Sequence, residues 1–383
     1  MIDMYKRKLA ETLLYVATKF PVITITGPRQ SGKTTLVQSV FPDKKYVTLE
    51  DFDTRAFASQ DPRGFLNFYK GGVIIDEAQY VPVLFSYIQT HVDKSKIMGE
   101  FILTGSQHFL LTEKISQSLA GRAAILELLP CALDELSLTN ISLYDILWKG
   151  FYPSIHNQDI DPQIFYKSYL NTYVERDLRS ISLVHDISKF RIFLQLCAGR
   201  VGQIINMSSL GNDCAIDQKT AKAWLSILET SYIAFLLKPH YKNFNKRLIK
   251  QSKLYFYDTG LVAYLLGIER ASDIRRHFAR GALFENYVAI ELLKKRFNQG
   301  QESNLYFWRD SHGVEIDFIQ DKGSDLIPVE VKSSETLDSS LFNGMEYFQK
   351  LSSIDKGYLI YSGTEPQERS KVKVLPWFAV DNI

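Results

Sequence analysis

The residues best equipped for chemistry in this sequence stand in three small groups: Lys33 with Thr34, Asp76 with Glu77, and a later set of Glu285, Asp317, Glu330 and Lys332. The first group lies in the run Gly27-Pro28-Arg29-Gln30-Ser31-Gly32-Lys33-Thr34-Thr35, which fills the pattern G-x-x-x-x-G-K-[ST]. Glycines at 27 and 32 let the backbone turn its N–H groups inward around a phosphate, and a helix opening at Lys33 adds favourable potential. Lys33 would bring a point charge to the β- and γ-phosphates and Thr34 a hydroxyl to Mg²⁺. Residues 27–35 are therefore the binding candidates for a nucleotide. Asp76 and Glu77 follow Val73-Ile74-Ile75, a continuous apolar run suited to a parallel strand buried on both faces. Asp76 would support the Mg²⁺ shell beside Thr34, and Glu77 would orient and activate an attacking water. The plainer role for Asp76 is to cap the next helix.

The third group points to different chemistry. Side chains alternate along a strand, so Glu330 and Lys332 share one face while Val329 and Val331 take the other. Acids and a lysine emerging together from apolar strands are costly unless they pair or bind a cation. Asp317 and Glu330 would coordinate Mg²⁺ through oxygen, Glu285 would complete the shell, and Lys332 would orient or activate water, as a metal-dependent phosphodiesterase requires. A purely structural Asp–Lys–Glu cluster is the other reading. His312 reads as a turn residue, because an isolated histidine has no metal-ligand spacing.

Elements to position these groups follow from the pattern. An amphipathic helix is expected over residues 4–19, with strands over 22–26, 45–49, 73–75, 101–107 and 123–128, an α/β arrangement. The fourth strand ends in the polar Ser106 and Gln107, where a polar side chain would read a γ-phosphate by hydrogen bond; a simple strand-end turn is the alternative. Ser118-Leu119-Ala120-Gly121-Arg122 precedes the fifth. The later group requires an apolar helix from Gly281 carrying Glu285, and strands over 304–309, 314–319 and 326–331. A helix over 341–351 and strands over 356–361 and 371–376 close the chain.

Between the two halves, residues 144–189 read as helical. A helix over 190–198, an extended piece at 204–207 and a helix-turn-helix follow, its second helix running over 217–231 with Asp217 as N-cap. Residues 233–237 and 253–257 would be the two strands of a wing. The interval between them holds Lys238, Lys242, Lys246, Arg247, Lys250 and Lys253 with no acidic residue. Basic side chains there would neutralise phosphates, and His240, Tyr241 and Phe244 would stack on bases, which makes DNA the natural partner of Lys242, Lys246, Arg247 and Lys250. A solvated wing in a protein-interaction domain is the alternative.

The 383 residues, 45% hydrophobic and 23% charged, suit a globular chain of two or three domains. A net charge of +2 confines any nucleic-acid surface to a local patch. The scattered Cys131, Cys197 and Cys214 argue against a disulfide framework or structural zinc and fit a reducing compartment. Lys6, Arg7, Lys8 and Glu11 interrupt the apolar start, unlike a signal peptide, and no run reaches transmembrane length. A cytoplasmic protein without a membrane partner is expected.

The sequence 27–34, 73–77 and 103–107 resembles the Walker A, Walker B and sensor 1 series of AAA-type ATPases, with Gln107 where many of these enzymes carry Asn. No clear second sensor arginine follows. Arg122 resembles the arginine that completes such sites, in its own subunit or from a neighbour, by stabilising transition-state charge; an ion pair is the alternative. The Glu…Asp…Glu-x-Lys pattern resembles the PD-(D/E)xK nuclease fold, including the resolvase branch that cuts branched DNA. Over nearly its full length the chain is similar to prokaryotic ATPases that join an AAA-type P-loop domain to a winged helix and a nuclease-like domain.

The fold class so implied is α/β: a P-loop parallel-sheet domain (1–138), a helical connector (139–189), a winged helix (190–262) and an α/β nuclease-like domain (263–383). The resemblance implies ATP and Mg²⁺ as cofactors, catalysis by Lys33, Glu77, Arg122 and Lys332, metal at Thr34, Asp76, Glu285, Asp317 and Glu330, and a homo-oligomer. The expected function is an Mg²⁺-dependent ATPase that binds and cleaves or remodels DNA. The alternative is a nucleotide-gated regulatory or defence switch whose nuclease-like domain only binds.

Overall fold

The computed structural model of the protein describes residues 5–106, 118–136, 141–173, 184, 186–240, 251–369 and 371–383. They fall into two compact units, residues 1–131 with 230–232 and 296–302, and residues 132–229, 233–295 and 303–383.

Inner strands buried on both faces dictate the first unit. In chain order it contains α1 (Leu9–Ala17), β1 (Val22–Thr26), α2 (Lys33–Val40), β2 (Lys45–Thr48), α3 (Phe52–Gln60), α4 (Pro62–Phe68), β3 (Val73–Asp76), α5 (Leu84–Ser95), β4 (Phe101–Thr104) and β5 (Ala123–Glu127). All strand pairs are parallel, in the order β2-β3-β4-β1-β5. Alternation divides the strand side chains between two layers. Ile23, Ile25, Ile74 and Ile102 pack with Leu9 and Leu13 of α1 and Leu36 and Val37 of α2. Val73, Ile75, Phe101 and Leu103 pack on the opposite side with Phe65 of α4 and Phe85, Ile88 and Val92 of α5. With both faces covered, the inner strands β1, β3 and β4 are buried almost throughout, which explains apolar runs such as Val73–Ile75, whereas the edge strand β2 exposes Lys45 and Tyr46. The turns after β1, β3 and β4 leave from the carboxyl ends of the strands, where open α/β sheets bind ligands. The helix expected over residues 4–19 is confined to α1, and Arg7 lies ahead of it.

The second unit begins with helices α6 (Leu143–Lys149), α7 (Pro153–Asn157) and α8 (Pro162–Tyr173), then α9 (Ile187–Ala198), α10 (Met207–Asp213) and α11 (Gln218–Thr230). Asp217 opens α11 by accepting the N–H groups of Lys219 and Thr220 at 2.8 and 3.0 Å. Strands β6 (Ala234–Leu237) and β7 (Lys253–Phe256) pair antiparallel, and Ile204 bridges to Lys253. After α12 (Thr259–Leu265), α13 (Ala271–Ile274) and α14 (Arg280–Asn298) come β8 (Leu305–Arg309), β9 (Glu315–Asp321), β10 (Leu326–Lys332), α15 (Asn343–Ser352), β11 (Gly357–Tyr361), β12 (Gln367–Arg369) and β13 (Val372–Pro376). These last strands form a mixed sheet, β12-β13-β11-β10-β9-β8. The stretches read as connector, winged helix and nuclease-like domain share this one unit, apart from residues 230–232 and 296–302.

A buried amide ties α14 to β7. Asn286 Oδ1 accepts the N–H of Phe256 at 2.7 Å, and its Nδ2 donates to the carbonyl of the same residue at 3.1 Å. Asn286→Ala leaves a buried peptide group without either partner. We expect a loss of about 2–4 kcal/mol, measured as a lower denaturant midpoint for the second unit; a change under about 0.5 kcal/mol refutes this role.

Candidate functional site

The turn between β1 and α2 is shaped by its glycines. Gly27 has φ +144°, and a Cβ there would lie 2.1 Å from the carbonyl oxygen of Leu128. Gly32 has φ +91° and opens α2. Both positions therefore exclude other residues for backbone reasons. Arg7, which the sequence reading did not single out, clamps the turn: its guanidinium donates to the carbonyl of Ser31 at 2.7 Å and to that of Leu129 at 2.6 Å. Lys33 is 7% exposed and donates Nζ to the carbonyls of Gly27 and Pro28 at 2.9 and 2.7 Å. Burial lowers its pKa to about 8, against the opposing pull of Glu77 and Asp76.

The two acids at the end of β3 come to this turn. Thr34 Oγ1 donates to Asp76 Oδ2 at 3.1 Å. The same carboxylate accepts the Tyr46 hydroxyl at 2.8 Å and that of Thr104. Asp76 is thus no helix cap, because its oxygens are spent on hydroxyls from α2, β2 and β4. Glu77 has φ +52°, a left-handed conformation rare for a non-glycine residue. Its carboxylate is held by Gln79 Nε2 and by Ser106 Oγ at 3.3 Å.

Arg122 is elsewhere. It immediately precedes β5, whose first residue pairs with Val22 at the start of β1. In a parallel pair that places it a strand length, roughly 15 Å, from the turn after β1. Its Nε and Nη2 bind Asp93 at 2.5 and 3.0 Å. Of the readings open for Arg122, this strand direction removes completion of the site in its own subunit, and the ion-pair alternative is formed, with Asp93. Gln107 and the basic set Lys242, Lys246, Arg247 and Lys250 lie outside the described residues.

In the second unit, β9 and β10 pair antiparallel with Phe318 opposite Val329, which brings Asp317 level with Glu330. Asp317 Oδ2 accepts the N–H of Val331 at 2.8 Å and lies 4.0 Å from Lys332 Nζ. Lys332 donates to Glu330 Oε2 at 2.6 Å. Glu285 on α14 accepts Lys253 Nζ at 2.9 Å and the Tyr255 hydroxyl. Lys253 also pairs with Glu315, whose other oxygen is 3.3 Å from Arg309. Burial, reinforced by the Asp317 charge, raises Glu285 to about 7 and Glu330 well above its ordinary range.

Two expectations are corrected here. Lys253, read as part of a basic wing, is 3% exposed and belongs to the acid cluster. Glu285, Asp317 and Glu330 do not form a cation shell: among the described residues no three Asp, Glu, His or Cys side chains are set to hold a metal ion. Their oxygens are turned to lysines and a tyrosine instead.

Residues 19–137 match the family described as AAA domain, and the turn geometry above agrees with that match. This segment is an AAA-type P-loop domain. Residues 140–272 and 280–380 match two families, each described as a domain of unknown function (DUF8612 and DUF4143). An uncharacterized protein of Mycobacterium tuberculosis is 29% identical over 335 residues, 86% of this chain and 74% of its own. Another, from Methanocaldococcus jannaschii, is 23% identical over 348 residues, 82% and 75% of the two chains. Among solved structures, the Walker-type ATPase of Pyrococcus abyssi aligns with a TM-score of 0.48 at 14% identity, covering 69% of this chain and 96% of that one. Among the described residues no helix is long and apolar enough to cross a membrane.

The P-loop residues suit a nucleotide with Mg²⁺. Thr34 and Asp76 offer the oxygen donors a hard cation takes. Ser31 Oγ, fully buried, has no hydrogen-bond partner among the described residues, so a ligand oxygen would satisfy it. Keeping Lys33 charged in this enclosure costs stability. Its folded pKa of about 8 lies below the ordinary 10.5, so the cost is full below pH 8 and fades as pH rises towards 10.5. Lys33→Met should therefore stabilise the nucleotide-free protein at pH 7 by about 1–3 kcal/mol, with the gain shrinking by pH 10. Denaturation of both proteins across that range checks the sign.

Proposed function

We propose that the AAA domain hydrolyses ATP with Mg²⁺. The observation that carries this reading is the 3.1 Å hydrogen bond between Thr34 Oγ1 and Asp76 Oδ2, which sets a metal-binding hydroxyl against a metal-supporting carboxylate beside Lys33. In this reading the N–H groups of the turn cradle the phosphates, and Lys33 exchanges the carbonyls of Gly27 and Pro28 for phosphate oxygens. Thr34 and Asp76 hold Mg²⁺, which when bound neutralises charge on the β- and γ-phosphates. Glu77, fixed by Gln79 and Ser106, orients the attacking water and takes its proton. Arg122 acts only towards the site of a neighbouring copy, so a homo-oligomer belongs to the proposal, as does a cytoplasmic setting.

Lys33→Ala should lose saturable Mg²⁺-ATP binding. Glu77→Gln should keep binding and lose turnover by about 10²-fold or more. A parent protein that shows no saturable ATP binding in millimolar Mg²⁺ overturns the reading.

A second reading, duplex DNA contact through residues 190–262, is supported by the order of α10 and α11 followed by the β6–β7 hairpin. That is the order of a helix-turn-helix with a wing. Charge reversal at Lys246 and Arg247 should weaken duplex binding at least about tenfold and flatten its salt dependence. Unchanged affinity removes these contacts.

A further inference from the structure

We propose that Lys253 is a built-in counter-ion standing where a PD-(D/E)xK centre would need a divalent cation, so that the acids of the second unit form a closed charge network. This rests on the second unit alone and is independent of the ATPase reading.

The nuclease resemblance implies a metal between Glu285, Asp317 and Glu330, and the residues present do not fit one. Lys253 enters from β7, outside the Glu…Asp…Glu-x-Lys pattern. Its ammonium group is 2.9 Å from Glu285 Oε1, pairs with Glu315, and lies 5.6 Å from the centre of the Phe307 ring. A side chain 3% exposed cannot swing this charge into water, so it is tolerated only because it is paired. A divalent ion placed on the same oxygens would meet a like charge at contact distance, in a site with little water to screen it.

The other acids are engaged as well. Lys332 takes Glu330 at 2.6 Å, the N–H of Val331 takes Asp317 at 2.8 Å, and Arg309 takes Glu315 at 3.3 Å. The four carboxyl groups therefore already face three cationic groups. Asp317 takes a backbone N–H in place of a fourth cation. A centre balanced this way has lost the need for an external cation, and with it the means to cut a phosphodiester by metal-bound water.

The test uses the full chain carrying Asp76→Asn, which silences the first unit's metal ligand, titrated with MnCl₂ alone and followed by calorimetry and by Mn²⁺ electron paramagnetic resonance. We expect no Mn²⁺ binding that depends on Asp317. Adding Lys253→Met, which keeps the apolar stem, should create an Mn²⁺ site at least about tenfold tighter than any in its parent. That gained site should raise Tm with Mn²⁺ and disappear with Asp317→Asn. Mn²⁺ binding in the Lys253-containing protein that Asp317→Asn abolishes overturns the proposal. So does a Lys253→Met protein that folds, judged by circular dichroism, yet gains no site. Should Lys253→Met fail to fold, the comparison of the Lys253-containing protein with and without Asp317→Asn decides alone.

Discussion

A carboxylate at the end of a buried strand has to be surrounded by donors, and the first unit is arranged to supply them to Asp76. Its oxygens take hydroxyls from Thr34 on α2, Tyr46 on β2 and Thr104 on β4. Only a sheet in which β3 lies between β2 and β4 brings the last two together. A one-residue slip of β3 would turn Asp76 into a core layer and send Ile75 out among the polar groups. Sheet order, the position of α2 and the acid end of β3 are thus a single requirement, and the enclosure of Lys33 beside them follows from it.

The two units treat buried charge in opposite ways. In the first, the hydrogen bonds of Lys33 among the described residues go to two backbone carbonyls, and Glu77 sits in a strained left-handed conformation. Both arrangements lower stability and leave groups ready for an exchange of partners, as sites that bind and release a ligand must be. In the second, each acid of the cluster already has a cation, a hydroxyl or a backbone N–H, and the lysines are held by more than one contact. Similar residue types therefore serve readiness in one place and closure in the other. Residue type alone does not distinguish these outcomes.

Much of the first unit is readable in the chain itself. The five expected strands are all present, and the inner three are legible because strands buried on both faces are nearly continuously apolar. Gly27 and Gly32 are legible because backbone conformation demands them. For Arg122 the chain leaves three readings open, and strand direction narrows them: in a parallel sheet, the residue before a strand lies at the end away from the turn that follows its neighbour. Arg7, Tyr46 and Lys253 were not legible. Each acts across a long separation on partners that share no motif with it, and only the register of strands shows who meets whom. Lys253 was hidden further by company, since it closes a run of basic residues that resembles a solvated surface. The three-residue edge strand β12, two of whose residues are exposed, carries too little apolar pattern to be noticed.

The clamp formed by Arg7 has a consequence for how the chain is handled. Residues 5–8, ahead of α1, are rich in charge and carry no motif letter, yet Arg7 among them grips Ser31 in the turn after β1 and Leu129 just past β5. Trimming to the first helix would leave every motif letter intact while unfastening the loop that the motif describes. Two preparations differing by a few N-terminal residues could then disagree on ligand affinity although their motif sequences are the same.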